Sequence, residues 1–240
     1  ATVGGLRICM RIDDMRGPPY APLERLKPGF VDQLRLGREG REDGVEERAR
    51  LIVQCRRASM LLCNYCCLTG LGQCLSYGNG ISACLGLRSV RFRQCRLLIE
   101  DITQLLQCAP DLERAVFVNE QLDGLGEELS ECRSLRSVEF MDCSLSAADA
   151  SAVLAAFPSL QCAHFQAMDL EGLRAPSLTS LTTLRLLDCN LSRTDAVVAL
   201  HRCGTGLEEL ELCGNDLGGG GGEEPWPSMP RLRRADFRLC

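Results

Sequence analysis

Apolar positions along this chain alternate between two rhythms. Short stretches place leucine, valine or phenylalanine at every second residue, as a half-buried strand does, and longer stretches between them carry apolar residues at helical spacing. Aligning the strand-like stretches gives a template, L-x-x-L-x-L-x-x-C-x-L. Leu87–Leu97 reads LRSVRFRQCRL, Leu135–Leu145 LRSVEFMDCSL, Leu181–Leu191 LTTLRLLDCNL and Leu207–Leu217 LEELELCGNDL. Weaker copies occupy Leu112–Leu122 and Leu160–Leu170, and a degenerate one Ala58–Leu68. A further copy begins at Val31, and Leu232–Cys240 starts another. Starts of neighbouring copies from Ala58 to Leu207 lie 21 to 29 residues apart.

Each L-x-L segment predicts a short strand with alternate side chains turned inward. The ninth position, held by Cys66, Cys95, Cys143, Cys189 and Cys240 with Asn215 in one copy, turns the chain off the strand, where a small, weakly hydrogen-bonding side chain fits a crowded corner. Helices are expected after the strands, at Glu46–Arg56, Asp101–Cys108, Ser146–Phe157 and Ser192–Cys203. Ser146 and Ser192 supply start signals, and Pro158 and Gly204 stop signals. One such unit cannot cover its own apolar face, so stacked neighbours must supply the core. The prediction is an α/β solenoid over residues 30–240, a short parallel sheet on its concave side and helices on its convex side. Residues 1–29, with Gly17-Pro18-Pro19 and Lys27-Pro28-Gly29, are expected to form an N-terminal cap. Residues 218–230, with Gly218–Gly222, form a loop insertion.

A second cysteine column precedes the template starts at Cys55, Cys84, Cys108, Cys132 and Cys203. It produces C-x-x-L-x-x-V-x-F-x-x-C at Cys84–Cys95 and again at Cys132–Cys143. With these motifs the chain resembles, from Val31 to Cys240, the cysteine-containing, ribonuclease-inhibitor-like leucine-rich-repeat family. That family includes F-box substrate receptors and small mitochondrial assembly proteins. The resemblance implies a partner-binding scaffold and does not choose the partner. No F-box-like helical segment is visible in Ala1–Phe30, which ranks a ubiquitin-ligase receptor second.

Composition narrows the picture. The 240 residues carry a net charge of −5, which disfavours nucleic acid as the main partner. Sixteen cysteines falling into periodic columns read as free core thiols of a reducing compartment, not as a disulfide framework. Cytoplasm, cytoskeleton and mitochondrial matrix all satisfy that. No apolar run is long enough to span a membrane, and Ala1–Gly17, with Asp13 and Asp14, does not read as a signal peptide.

Residues between the inward positions should line the concave side. The fifth template position reads Arg35, Leu62, Arg91, Val116, Glu139, His164, Arg185, Glu211 and Asp236. The seventh reads Gly37, Asn64, Arg93, Val118, Met141, Gln166, Leu187, Cys213 and Arg238. The expected partner surface is therefore zoned. Arg88, Arg91 and Arg93 form a basic end, Val116, Val118, Met141 and Leu187 an apolar middle, and Glu208, Glu209 and Glu211 an acidic end, as protein interfaces tend to be built. RNA phosphate contact, in a peripheral ribonucleoprotein subunit, would have to use the three arginines. Trp226, the only tryptophan, has two open readings: folded back onto the last copies, or a partner anchor.

Catalytic chemistry has few candidates among two histidines. Cys162 and His164 share one strand face, with Glu139 and Arg185 about 5 Å away on neighbouring strands. Residues two apart on a strand diverge, so a polar ladder is expected instead of a thiol nucleophile. Cys63-x-x-Cys66 lacks the second pair that zinc would want and already fits core positions. No catalytic, cofactor or metal residue is assigned. The expected function is a non-catalytic protein–protein scaffold, a peripheral or assembly subunit of a larger eukaryotic complex.

Overall fold

The computed structural model describes residues 8–12, 31–37, 45–54, 58–77, 86–129, 132–218 and 225–238. They fall into two compact units, Ala1–Glu113 and Arg114–Cys240. In the first, strands β1 (Ile8–Ile12), β2 (Val31–Leu36), β3 (Met60–Asn64) and β4 (Ser89–Arg93) pair in parallel in that order. Between and after them lie helices α1 (Val45–Gln54), α2 (Leu71–Tyr77) and α3 (Ile99–Cys108), with α2 packed against both of the others. In the second unit, β5 (Arg114–Val118), β6 (Ser137–Met141), β7 (Cys162–Gln166), β8 (Thr183–Leu187), β9 (Glu209–Glu211) and β10 (Arg234–Asp236) also pair in parallel and in sequence order. Its helices are α4 (Leu125–Glu128), α5 (Ala147–Ala156) and α6 (Arg193–Cys203). The class is α/β with parallel strands, one strand to each sequence copy.

The strands sit where the alternation puts them, and the fourth and sixth template positions are buried in all eight copies from Val31 to Leu217. Examples are Val90 and Phe92, Val138 and Phe140, and Leu210 and Leu212. In the second unit the sixth-position rings form a ladder. Phe117 stacks on Phe140 at 5.3 Å between centroids, and Phe140 on Phe165 at 5.5 Å. Offset stacking of this kind adds about 0.5–1.5 kcal/mol per pair beyond burial.

Two expectations need correction. Helices do not follow every strand. No helix lies between β7 and β8, where the copies starting at Leu160 and Leu181 are the most closely spaced and Gly172 and Pro176 interrupt the segment. After β5 only the single turn of α4 forms. The segment expected as a cap also contributes β1, so Ile8–Ile12 belongs to the sheet. The rest of residues 1–29, residues 219–224 of the loop, and Cys55, Cys84 and Cys240 lie outside the described residues.

The eighth template position is left-handed in every copy from Ala58 to Leu217. Tyr65, Gln94, Asn119, Asp142, Ala167 and Asp188 have φ between 51° and 55°, and Gly214 has 73°. A non-glycine residue pays about 1 kcal/mol or more for that conformation. The backbone still recovers its hydrogen bond: Tyr65 N–H donates to Arg93 O (2.7 Å), Asn119 to Met141 O (2.9 Å), Asp142 to Gln166 O (3.0 Å) and Asp188 to Cys213 O (2.9 Å). In these copies the turn thus ends the strand without orphaning its donor, and it swings the ninth residue inward.

There the thiols act as short donors. Cys143 Sγ lies 3.5 Å from Phe117 O and 3.4 Å from Met141 O, and Cys189 Sγ is 3.3 Å from both Phe165 O and Leu187 O. Cys95 repeats the pattern with Cys63 O and Arg93 O. Asn215 does the same work with an amide. Its Nδ2 donates to Leu186 O and Leu212 O, while its Oδ1 accepts from Cys189 N and Leu191 N. Glu120 and Met168 hold this position in the two weaker copies and are buried as well.

A second device ties one copy to the next. Asp101 of α3 is buried and accepts from Gly70 N (3.0 Å), Gly72 N (2.8 Å) and Leu98 N (2.9 Å). Asp149 of α5 repeats it with Gly124 N (3.1 Å), Gly126 N (3.0 Å) and the Ser146 hydroxyl (2.6 Å). Each carboxylate therefore satisfies donors at the start of the preceding helix as well as at its own, where helix termini leave N–H groups unpaired. Gly126 is required by the approach, because a Cβ there would stand 2.7 Å from Ala152 Cβ. The third copy carries Arg174 where the others have Gly72 and Gly126. Arg174 N–H turns to Ser151 Oγ, and the Asp195 carboxylate bonds only Ser192.

Candidate functional site

Because the fourth and sixth positions point into the core, the odd positions form an open sheet face. Strand registers arrange them in rows. In the first unit Arg11, Arg35, Leu62 and Arg91 are row partners, with Asn64 and Arg93 in the row beside them. In the second, Val116, Glu139, His164, Arg185, Glu211 and Asp236 form one row, and Val118, Met141, Gln166 and Leu187 the next. These are the rows that the fifth and seventh template positions predict within each unit.

The electrostatics differ between the two faces. In the first unit Arg35, Arg91 and Arg93 are exposed, and no carboxylate among the described residues lies within ion-pair distance of any of them. The Arg93 guanidinium lies 5.2 Å over the ring of Tyr65, itself 43% exposed. Arg88 behaves otherwise: it pairs with Glu113 at 2.8 Å, so only two of the three arginines expected as a basic end remain uncompensated.

In the second unit the charges answer one another. Arg114 pairs with Glu139 (2.6 Å), and Arg185 reaches Glu209 (3.5 Å) and Glu211 (3.4 Å). Arg234 approaches Glu211 (3.7 Å) and Arg233 approaches Glu208 (3.4 Å). Arg238 holds the Asp236 carboxyl down to about 2 through a contact of 2.7 Å. The expected acidic end is therefore a neutralised ladder. Exposed pairs of this kind are worth about 0–1 kcal/mol each, so they set pattern more than stability.

Val118, Met141 and Leu187 sit half-buried on the open face, as the apolar middle requires. Val116 departs from expectation at 4% exposed, a short branched side chain in a row of longer ones. It adds to packing and offers a partner nothing.

His164 stands between Glu139 and Arg185 in its row. Burial lowers its pKa, Glu139 pushing the other way, so the imidazole is neutral at pH 7; its Nε2 is buried without a hydrogen-bond partner. Burial also raises the thiol of Cys162, which moves it away from the thiolate a nucleophile needs. Cys143 is pushed up to about 11 and Cys189 to about 12 by the same cause. Cys63 and Cys66 are fully buried, and the Cys66 thiol is raised by its hydrogen bond with Cys63, with burial adding to it. Among the described residues no group of three or more His, Cys, Asp or Glu side chains is placed to hold a metal ion.

Trp226 folds back. Its ring meets Phe237 edge-on at 5.7 Å, with the Arg193 guanidinium 5.7 Å above it. Phe237 occupies the sixth template position, yet is 39% exposed, because β10 is the last strand of its sheet and nothing beyond it covers the ring among the described residues.

Sequence reading missed the left-handed eighth position and the paired Asp–Gly-x-Gly clamps. Signals were present: Asn119, Asp142, Asp188 and Gly214 are residue types that tolerate positive φ, and Gly70-Leu71-Gly72 recurs as Gly124-Leu125-Gly126. Neither a family model nor a curated protein matches the chain. No helix among the described residues is long and apolar enough to cross a membrane.

Proposed function

We propose that this chain is a leucine-rich-repeat solenoid of the cysteine-containing type, a non-catalytic scaffold whose open sheet face binds other protein subunits. The observation that carries the reading is the registered open face. One strand per sequence copy presents two rows of side chains, ion-paired in the second unit and flanked there by the half-buried Val118–Met141–Gln166–Leu187 row. Half-buried apolar residues edged by paired charges suit a protein partner better than a small molecule. Free thiols buried at the ninth position fit a reducing compartment, either the cytoplasm and cytoskeleton or the mitochondrial matrix. The role proposed is that of a peripheral or assembly subunit in a larger eukaryotic complex.

The test is affinity purification of the tagged full chain from its native source, wild type beside Met141→Arg, with co-purifying proteins quantified. A stoichiometric set of subunits that Met141→Arg loses supports the scaffold. Ligase adaptors with varied substoichiometric clients would move the function to substrate reception. Recovery of the wild type alone would refute the reading.

A further inference from the structure

We infer that the open face of the first unit is a receptor for an acidic, extended protein segment, recognised by Arg35, Arg91 and Arg93 around Leu62. The inference rests on the scaffold reading and names the chemistry of the partner at this part of its surface.

The argument begins with what charges do when left to themselves. Elsewhere on the odd positions, arginines are answered from within the fold: Arg114 by Glu139, Arg185 by Glu209 and Glu211, Arg238 by Asp236. Arg35, Arg91 and Arg93 are the exceptions. They are exposed, have no carboxylate in ion-pair reach among the described residues, and lie on β2 and β4, on either side of β3. A row reading Arg–Leu–Arg, with Arg93 in the row beside it, repels itself, and a fold gains nothing from it. An anionic partner would remove the repulsion and gain charge-assisted hydrogen bonds, strongest when bidentate to a carboxylate.

Geometry selects the form of that anion. Arg91 and Arg93 are two apart on β4 and project from the same face, about 6.6 Å apart along the strand. An extended peptide carries its alternate side chains at the same interval, so two acidic residues separated by one other meet both guanidiniums. Arg35 and Arg91 flank Leu62 across the strands, which leaves a half-buried apolar seat between two cations. The matching segment alternates Glu or Asp with other residues and presents one apolar side chain between its acids.

A single-stranded nucleic acid would offer phosphates at comparable intervals, but it gains affinity by stacking bases on free aromatic rings. Tyr65 is the only exposed aromatic among the side chains described in this unit, and Arg93 already covers its ring. The face is built for carboxylates.

The test uses the purified full chain and three fluorescent probes: a short peptide alternating Glu and Ser around one central Leu, the same peptide with Lys for Glu, and oligouridylate of equal length. Fluorescence anisotropy should show binding of the acidic peptide alone, weakening as salt is raised. Arg91→Glu/Arg93→Glu should weaken it roughly tenfold or more, whereas Arg233→Glu, a charge reversal in the other unit, should leave it unchanged. Both variants alter exposed side chains and should keep the wild-type circular dichroism and melting temperature. Tighter binding of oligouridylate, no binding of the acidic peptide, or equal loss in the Arg233 variant overturns the inference.

Purification from the native source then separates the two claims. If Arg91→Glu/Arg93→Glu retains every wild-type partner, the acidic-segment inference falls while the scaffold stands. If wild type itself retains none, the scaffold reading falls.

Discussion

Asp149 is buried, and its carboxylate accepts from two backbone donors of the preceding copy and from the Ser146 hydroxyl. Replacing it with alanine leaves the half-buried Gly124 N–H and Gly126 N–H without their acceptor. A buried donor stripped of its partner costs about 1–3 kcal/mol, so Asp149→Ala should destabilise the second unit by roughly 3 kcal/mol once partial relaxation is allowed. Asp149→Asn keeps one acceptor oxygen but turns an NH2 toward the other donor, and about 2 kcal/mol is expected. Asp195 supplies the internal control. It sits at the same point of α6, yet bonds only Ser192, so Asp195→Asn should cost about 0.5–1 kcal/mol, the worth of a cap alone. Urea unfolding of the full chain followed by circular dichroism gives the energies, and native-state hydrogen exchange at Gly124 and Gly126 gives the local readout. The sign with pH is fixed too. Burial raises the Asp149 carboxyl, but the hydrogen bonds from Ser146, Gly126 and Gly124 outweigh it and hold its pKa below the usual range. The stabilisation is therefore complete above the unfolded value near 4 and is lost as pH falls through the folded one. Equal losses at Asp149 and Asp195, or undiminished exchange protection in Asp149→Ala, would refute the clamp.

Phe140 lies between two stacked rings in the core, so Phe140→Ala should cost about 3–5 kcal/mol by chemical denaturation. Phe237→Ala, at the same template position but 39% exposed, should cost well under half of that; similar losses would mean the ladder is not what stabilises the sheet. His164 should stay neutral until below its ordinary range. Its contribution to stability is then complete above the unfolded value near 6.5 and declines as pH falls toward the folded one, and His164→Gln should flatten that part of the curve. An unchanged pH profile in that variant would remove the histidine from the account. Native alkylation with iodoacetamide, mapped by mass spectrometry, should modify the half-exposed Cys67 and Cys213 before Cys95, Cys143 or Cys189, which become reactive only on unfolding. Early labelling of Cys189 would show that the ninth-position thiols are not sealed in the core.

The template alone settles the strands from β2 onward; β1 lies outside it. Alternation fixes which residues face inward, and a parallel order follows because each strand is followed by a connection long enough to return the chain to the same side. Val90 and Phe92, or Val138 and Phe140, could be assigned to the core from spacing, and Ser146 and Ser192 could be assigned as caps. The rows of the open face were legible for the same reason: once the copies are aligned, equal template positions are neighbours. What spacing does not carry is the reach and pairing of side chains. Arg88 and Arg91 look alike in the sequence, yet one is compensated by Glu113 and the other is not. Glu209 and Glu211 read as an acidic end until Arg185 and Arg234 reach across from neighbouring strands. Val116 has an outward address and a buried side chain. Asp101 and Asp149 become clamps only because glycines in the preceding copy let the backbone approach, and Asp195 does not because Arg174 holds that position. Sequence periodicity determines where the backbone goes, since it depends on local geometry repeated. Which charges cancel, and which are left unpaired, depends on distances between copies that only the folded chain sets.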